Sequence, residues 1–211
     1  MHVVRLIALL TLGVALSACA RIETVSRNSA PEQAVPAPVA MPFDIVRVDV
    51  RVPRSLRVSE ANAFLPMGDI VWREDPPGDR YAQVAAIVHD GLSRGLASLQ
   101  PGGVPAVLDV EVSKFHALSE KARYTFGGVH ALQFTFVLRN PATGEAYGAP
   151  QFVKADFRAL GGAAAIAAER KGLTQKVRIT RHLAKVIREE LTDPQGHVPE
   201  GHGLIGALNQ I

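Results

Sequence analysis

Val46, Val48, Val50 and Val52 alternate with Arg47, Asp49 and Arg51. That period of two is a strand with one wet face, and Pro53 ends it. Residues 54–68 carry Pro66 and Gly68 and no periodicity, so they read as irregular, and Ile70-Val71-Trp72 as a short extended piece. Tyr81, Val84, Ala85, Val88, Leu92, Leu96 and Leu99 then recur three or four apart, the stripe of an amphipathic helix. Asp79 is placed to cap its first turn, and Pro101-Gly102-Gly103 to stop it. Gly91 and Gly95 lie four apart on this helix, a spacing that predicts close packing against a sheet.

Period two returns at Leu108, Val110 and Val112, and again at His130, Leu132, Phe134, Phe136 and Leu138, with Gln133 and Thr135 opposite. Asn140 to Glu145 reads as a hairpin turn with Gly144 free to take a positive φ. Its partner strand is expected from Gln151 to Arg158, with Phe152, Val153 and Phe157 as apolar residues. Gly161-Gly162 breaks it, and Ala163 to Arg170 reads as a short helix. From the cap Thr174 a last helix buries Val177, Thr180, Leu183, Ala184, Ile187 and Leu191, until Asp193-Pro194 ends it. The pattern predicts an α+β domain over 43–193: an antiparallel sheet of four to five strands with helices packed on one face. Residues 194–211, with four glycines, are expected to be a loose tail.

Two stretches lie before this domain. Val3 to Leu16 is apolar with Arg5 as its only charge. It is shorter than the roughly 20 residues a helix needs to cross a bilayer. A basic front, an apolar run and small residues after it are the grammar of a secretory signal over 1–18. Residues 21–42 are rich in Ala, Pro, Ser, Glu and Gln, with Pro31, Pro36, Pro38 and Pro42 along them. Such a stretch buries too little to offset its ordering entropy, so 19–42 is expected to be a disordered tether. Fully extended, the 22 residues 21–42 reach roughly 70 Å at about 3.3 Å per residue.

The formal charge is +3, and removal of Arg5 with the signal leaves +2. No Lys/Arg run of nucleic-acid type occurs, so no nucleic-acid partner is expected. With one cysteine no disulfide can form within the chain. His197 and His202 with Glu200 lack an H-E-x-x-H pattern, and His89, His116, His130 and His182 are scattered, so neither a metal nor a catalytic triad is expected. No P-loop is present; G-x-S-x-G occurs at Gly91-Leu92-Ser93-Arg94-Gly95, inside the amphipathic helix, and G-x-G-x-x-G at Gly201 to Gly206, in the tail, neither at the strand-to-helix turn its chemistry needs, and no cofactor is expected.

Two surfaces carry candidate chemistry. Asp69, Arg73, Glu74, Asp75, Asp79 and Arg80 gather charge around Trp72. Trp72, Arg73, Asp75 and Arg80 could form a partner-binding edge with an aromatic anchor. The plainer reading is a capped helix start with local ion pairs. Lys171, Lys176, Arg178, Arg181, Lys185 and Arg188 make a basic outer face that could meet anionic headgroups or a partner, or simply be solvated.

Leu16-Ser17-Ala18-Cys19 resembles the lipobox of bacterial lipoproteins, in which cysteine is lipidated and becomes the first residue of the mature chain. Ala20, not Asp, comes next, which by the same resemblance implies the outer membrane. From Val46 to Leu191 the layout is similar to envelope lipoproteins of the ABC-transport auxiliary type. There a strand ending near a tryptophan and proline segment, here Trp72-Arg73-Glu74-Asp75-Pro76-Pro77, leads into an amphipathic helix, strands and a final helix. It also resembles uncharacterised lipoproteins of alphaproteobacterial type. The resemblance implies location and fold; a lipid anchor at Cys19, a tether and a domain with no catalytic set lead to the expectation of a non-enzymatic, periplasm-facing accessory lipoprotein that binds a protein or lipid-transport partner in the envelope. The alternative is a small-ligand binder or hydrolase using the loop 69–80, which requires a concave pocket there.

Overall fold

The computed structural model describes residues 42–199. In order they form β1 (Phe43–Arg51), β2 (Ile70–Val71), α1 (Arg80–Leu96), β3 (Val104–His116), α2 (Glu120–Arg123), β4 (Gly128–Arg139), β5 (Gln151–Lys154), β6 (Phe157–Ala159), α3 (Gly162–Glu169) and α4 (Gln175–Thr192). Six strands make one open sheet in the order β1-β3-β4-β5, with β2 continuing the β1 side of β3 and β6 the β5 side of β4.

The sheet is mixed, not antiparallel throughout. β1 and β2 both run parallel to β3, whereas β3–β4, β4–β5 and β4–β6 are antiparallel. The cause is the connection: β1 reaches β3 through α1, and a strand–helix–strand crossover returns the chain in the same direction. The 140–145 turn is tight as expected, with Gly144 at φ +76° and its amide donating to Asn140 O.

One face of the sheet holds the core. Leu108, Val110, Val112 and Phe115 of β3 and Leu132, Phe134 and Phe136 of β4 pack against Val84, Ile87, Val88 and Leu92 of α1 and Ile179, Leu183, Val186 and Ile187 of α4. Both caps read from the sequence form: Asp79 accepts from the amides of Tyr81 and Ala82, and Thr174 from that of Val177.

Four local readings change. The β1–β3 register shifts between Ile45 and Arg47, so Val46 becomes a bulge residue and is 55% exposed, while Ile45, Val48 and Val50 face the core. The strand after the hairpin breaks into β5 and β6 at Ala155-Asp156, because the buried Asp156 carboxylate accepts from the Leu132 amide (2.9 Å) in place of a ladder carbonyl. Its Phe152 stands on the solvent side. Gly91 and Gly95 face α4 and not the sheet: a Cβ on Gly91 would meet Leu183 Cβ at 2.8 Å, and one on Gly95 would meet Ala184 O at 2.5 Å. Finally, the beginning of the expected loose tail is held. His197 is buried, its Nδ1 lies 2.7 Å from Glu189 Oε2, and its amide donates to Glu190 Oε1. Cys19, the signal, the tether and residues 200–211 lie outside the described residues.

Candidate functional site

The residues singled out in the loop 69–80 are brought together, but as an internal brace. Trp72 is 0% exposed; its ring meets Phe115 edge-on at 5.8 Å and its Nε1 donates to Asp75 Oδ2 at 2.9 Å. A ring so placed has no surface to offer a partner, so the anchor role falls away and the structural reading stands. Asp75 also takes both its oxygens to Lys176 Nζ at 2.9 and 3.0 Å. Burial raises its pKa, but the hydrogen bonds from Lys176 and Trp72 outweigh burial and hold it below the usual carboxylate value.

Arg80, in the first turn of α1, is only 5% exposed. It grips Glu60 bidentately at 2.7 and 3.0 Å and donates to Asp75 O, Pro76 O and Gln83 Oε1. Such planar two-point pairing is the geometry for which arginine is suited. Arg73 donates to Glu120 Oε2 at 2.6 Å and to the Glu60 carbonyl. Glu74 accepts from Arg123 Nη1 at 2.9 Å and from the Lys176 amide at 3.2 Å, which closes an open donor at the start of α4. Glu60 and Glu120 are both held below the usual glutamate value, Glu60 by its bond from Arg80, Glu120 by Arg73 against the opposing effect of burial.

The loop thus ties the N-terminal ends of α1, α2 and α4 to one another. Gln175, buried at the head of α4, completes the tie: its Oε1 accepts from the Leu118 amide. A hydrolase would need a carboxylate free to work in a cleft. Here Asp75 and Arg80 are committed to pairs, and Asp69 accepts from the Arg57 amide at 2.8 Å.

The open surfaces lie elsewhere. A groove of about 580 Å³ runs between β1 and the C-terminal half of α1, lined by Asp44 to Val48, His89, Ser93, Leu96 and Gln100 among others. On the face of the sheet away from the helices, Asp109 sits between Arg51 Nη1 (2.6 Å) and Arg139 Nε (2.7 Å), with Glu111 beside Arg51. The alternation marks Arg47, Asp49 and Arg51 as the wet face of a strand, but their pairing with Asp109 and Glu111 exists only once β1 lies beside β3.

Buried histidines gather where β4, β6 and α4 meet. His130 and His182 flank Phe157, with ring centroids 4.9 and 4.1 Å away, and His197 stands edge-on to His182. Burial drives the His130 pKa well below the ordinary value, and neighbouring positive charges add to it. No group of three His, Cys, Asp or Glu suited to hold a metal occurs among the described residues.

Of the basic face expected on the last helix, Lys176 pairs with Asp75 and Lys185 lies 3.6 Å from Glu189. Arg178 donates to Arg158 O and lies over the Phe157 ring. Arg181 is exposed. No helix among the described residues is long and apolar enough to cross a membrane.

An open mixed sheet with two long helices on one face and a charge-braced loop define a compact α/β module. The chain belongs to a family of unknown function (DUF6778), whose model matches residues 43–207. Among solved structures, it is similar to a protein from Xanthomonas campestris assigned to the family DUF330, at 10% identity and a TM-score of 0.45, covering 74% of this chain and 86% of that one. It is also similar to a minor lipoprotein from Acinetobacter baumannii, at 13% identity and a TM-score of 0.34, covering 77% and 100%. Both likenesses are distant, and the assignment rests on the family match. No curated protein matches the chain.

Proposed function

We propose that the protein is a lipid-anchored, periplasm-facing accessory lipoprotein of the cell envelope, attached through Cys19 to the outer membrane, whose folded domain works by binding a protein or lipid-transport partner and not by catalysis. The observation that carries this reading is the order of residues at the start of the chain: one charge, an apolar run, then Leu16-Ser17-Ala18-Cys19 with the chain's sole thiol. The folded domain supports a binding role. Its charged loop is consumed in holding the fold, and its exposed features are apolar loop tips and a cationic helix face. The test is metabolic labelling with a clickable fatty acid. The native chain incorporates label and runs in the detergent phase, and Cys19→Ser abolishes both. Equal labelling of the two would remove the anchor and, with it, the assigned address.

A further inference from the structure

Three segments meet at the end of the domain where β3 finishes and β4 begins. The loop after β1 holds out Phe64, Leu65 and Met67, the last 78% exposed, although Pro66 between them is buried. The turn between α2 and β4 holds out Phe126, 60% exposed, whose ring stacks on Phe64 with centroids 5.0 Å apart. α3 packs directly behind that turn. A Cβ on Gly161 would lie among the backbone atoms of Phe126 and Gly127, and one on Gly162 would touch Thr125 O, so only glycines allow this approach. At its other end Glu169 accepts from Tyr124 Oη at 3.3 Å. The outward side of α3 is Ala163, Ala164, Ile166 and Ala167, with no charge.

These apolar groups are fixed in place, not collapsed inward: Ser119 Oγ donates to Ala63 O, and Asn62 Oδ1 accepts from the Lys121 amide, pinning the loop just ahead of Phe64. Lys121 Nζ sits 4.5 Å from the Phe64 ring centre. Ordinary monomers rarely hold several large apolar side chains out together.

The surrounding charge names the occupant. Residues 157–188 carry eight Lys or Arg and one acid, Glu169, a net of +7, so the rest of the chain nets −4 against its total of +3. The acids at this end are already spent internally: Glu60 on Arg80, Glu120 on Arg73, Glu74 and Glu169 on Arg123. Arg170 and Lys171, which come directly after α3, are exposed and make no ion pair among the described residues. At 1.5 Å per residue α3 spans about 12 Å, so these cations follow about one helix length after the glycine pair that packs against Phe126. Arg178, Arg181 and Arg188 extend the positive field along α4, within an arc of about 80° at 100° per residue, while Lys185 between them lies beside Glu189.

Apolar tips that can enter the acyl boundary, ringed by cations that can meet phosphates, match an anionic bilayer surface. We propose that this end of the domain is a docking site for an anionic phospholipid surface, with Phe64, Leu65, Met67 and Phe126 inserted and Arg170, Lys171 and Arg181 against the headgroups. This goes beyond the anchor at Cys19, since the contact belongs to the folded domain and sets its orientation.

The test uses the full chain with Met67→Cys carrying an environment-sensitive NBD label, added to vesicles of phosphatidylcholine alone or with phosphatidylglycerol. The site predicts a blue shift of NBD and quenching by doxyl-labelled lipid on the anionic vesicles only, both reversed by high salt. Arg170→Glu with Lys171→Glu and Arg181→Glu abolishes the shift, and Phe126→Asp weakens it; all four positions are exposed, so the fold is kept. A label at Gln100→Cys, in the loop after the C-terminal end of α1, stays polar throughout. No shift, an equal shift on both vesicles, or a shift insensitive to charge reversal would overturn the proposal. Failure of the anchor shows separately, as two labels per chain from a free Cys19 and as absence of the chain from neutral vesicles.

Discussion

Gly95 shows how one missing methyl fixes a helix crossing. Alanine is the better helix former by up to about 1 kcal/mol, so on propensity alone Gly95→Ala should stabilise α1. Its Cβ would however be forced against Ile187 and the Ala184 backbone of α4, and overpacking of this kind costs about 1–3 kcal/mol. We expect net destabilisation in urea unfolding, with Gly148→Ala, which meets nothing within 4 Å, near neutral. Buried histidines make a second prediction at this scale. Burial lowers His116 to about 4, Lys114 nearby adds to this, and burial holds His130 well below the ordinary histidine value. A histidine kept neutral in the fold but protonated when unfolded stabilises fully above its unfolded value of about 6.5, and that stability is lost as pH falls from there towards 4. Unfolding at pH 5 should therefore give a stability lower than at pH 7 by about 1–3 kcal/mol, of which His130→Phe recovers part. Equal stability at the two values would contradict this. Glu60 and Glu120, both held below the usual 4.5, titrate in a separate, more acidic window.

At the scale of elements, the brace decides how α4 is seated. Glu74→Ala removes one of the two acids paired with Arg123 and the acceptor of the Lys176 amide, and we expect a loss of about 1–3 kcal/mol. Hydrogen exchange should speed up first at the start of α4. Trp72→Phe removes the bond to Asp75 and should cost about 1 kcal/mol or more of stability. Unchanged stability with reduced binding of a partner would instead restore Trp72 as a surface anchor. Much of this layer was legible in the chain: Asp79 and Thr174 cap as their spacing implied, and β4 buries the face its alternation marked. What escaped was whatever depends on a distant neighbour. The valine alternation of β1 could not show that Ile45 takes the inward place of Val46, because the bulge exists only relative to β3. The glycine pair signalled close approach but not that α4, some 90 residues on, is what approaches. The parallel β1–β3 pairing follows from the order strand, helix, strand, whereas the tight turn at 140–145 dictates antiparallel pairing only for β4 and β5.

For the whole molecule, asymmetry of charge and of apolar exposure matters more than any cluster of reactive groups. The loop that drew attention in the sequence is spent on the fold, and the surface left over is cationic along α4 and apolar at the loop tips. This distribution suits the proposed binding role, which rests also on the proposed lipid anchor at Cys19. The most direct test is the intact mass and N-terminal fragment spectrum of the mature protein purified from membranes. The account predicts a chain beginning at Cys19, heavier than the bare polypeptide by its acyl groups and carrying no reactive thiol. A chain that begins at any other residue, or one that begins at Cys19 with its sulfur free, would contradict it.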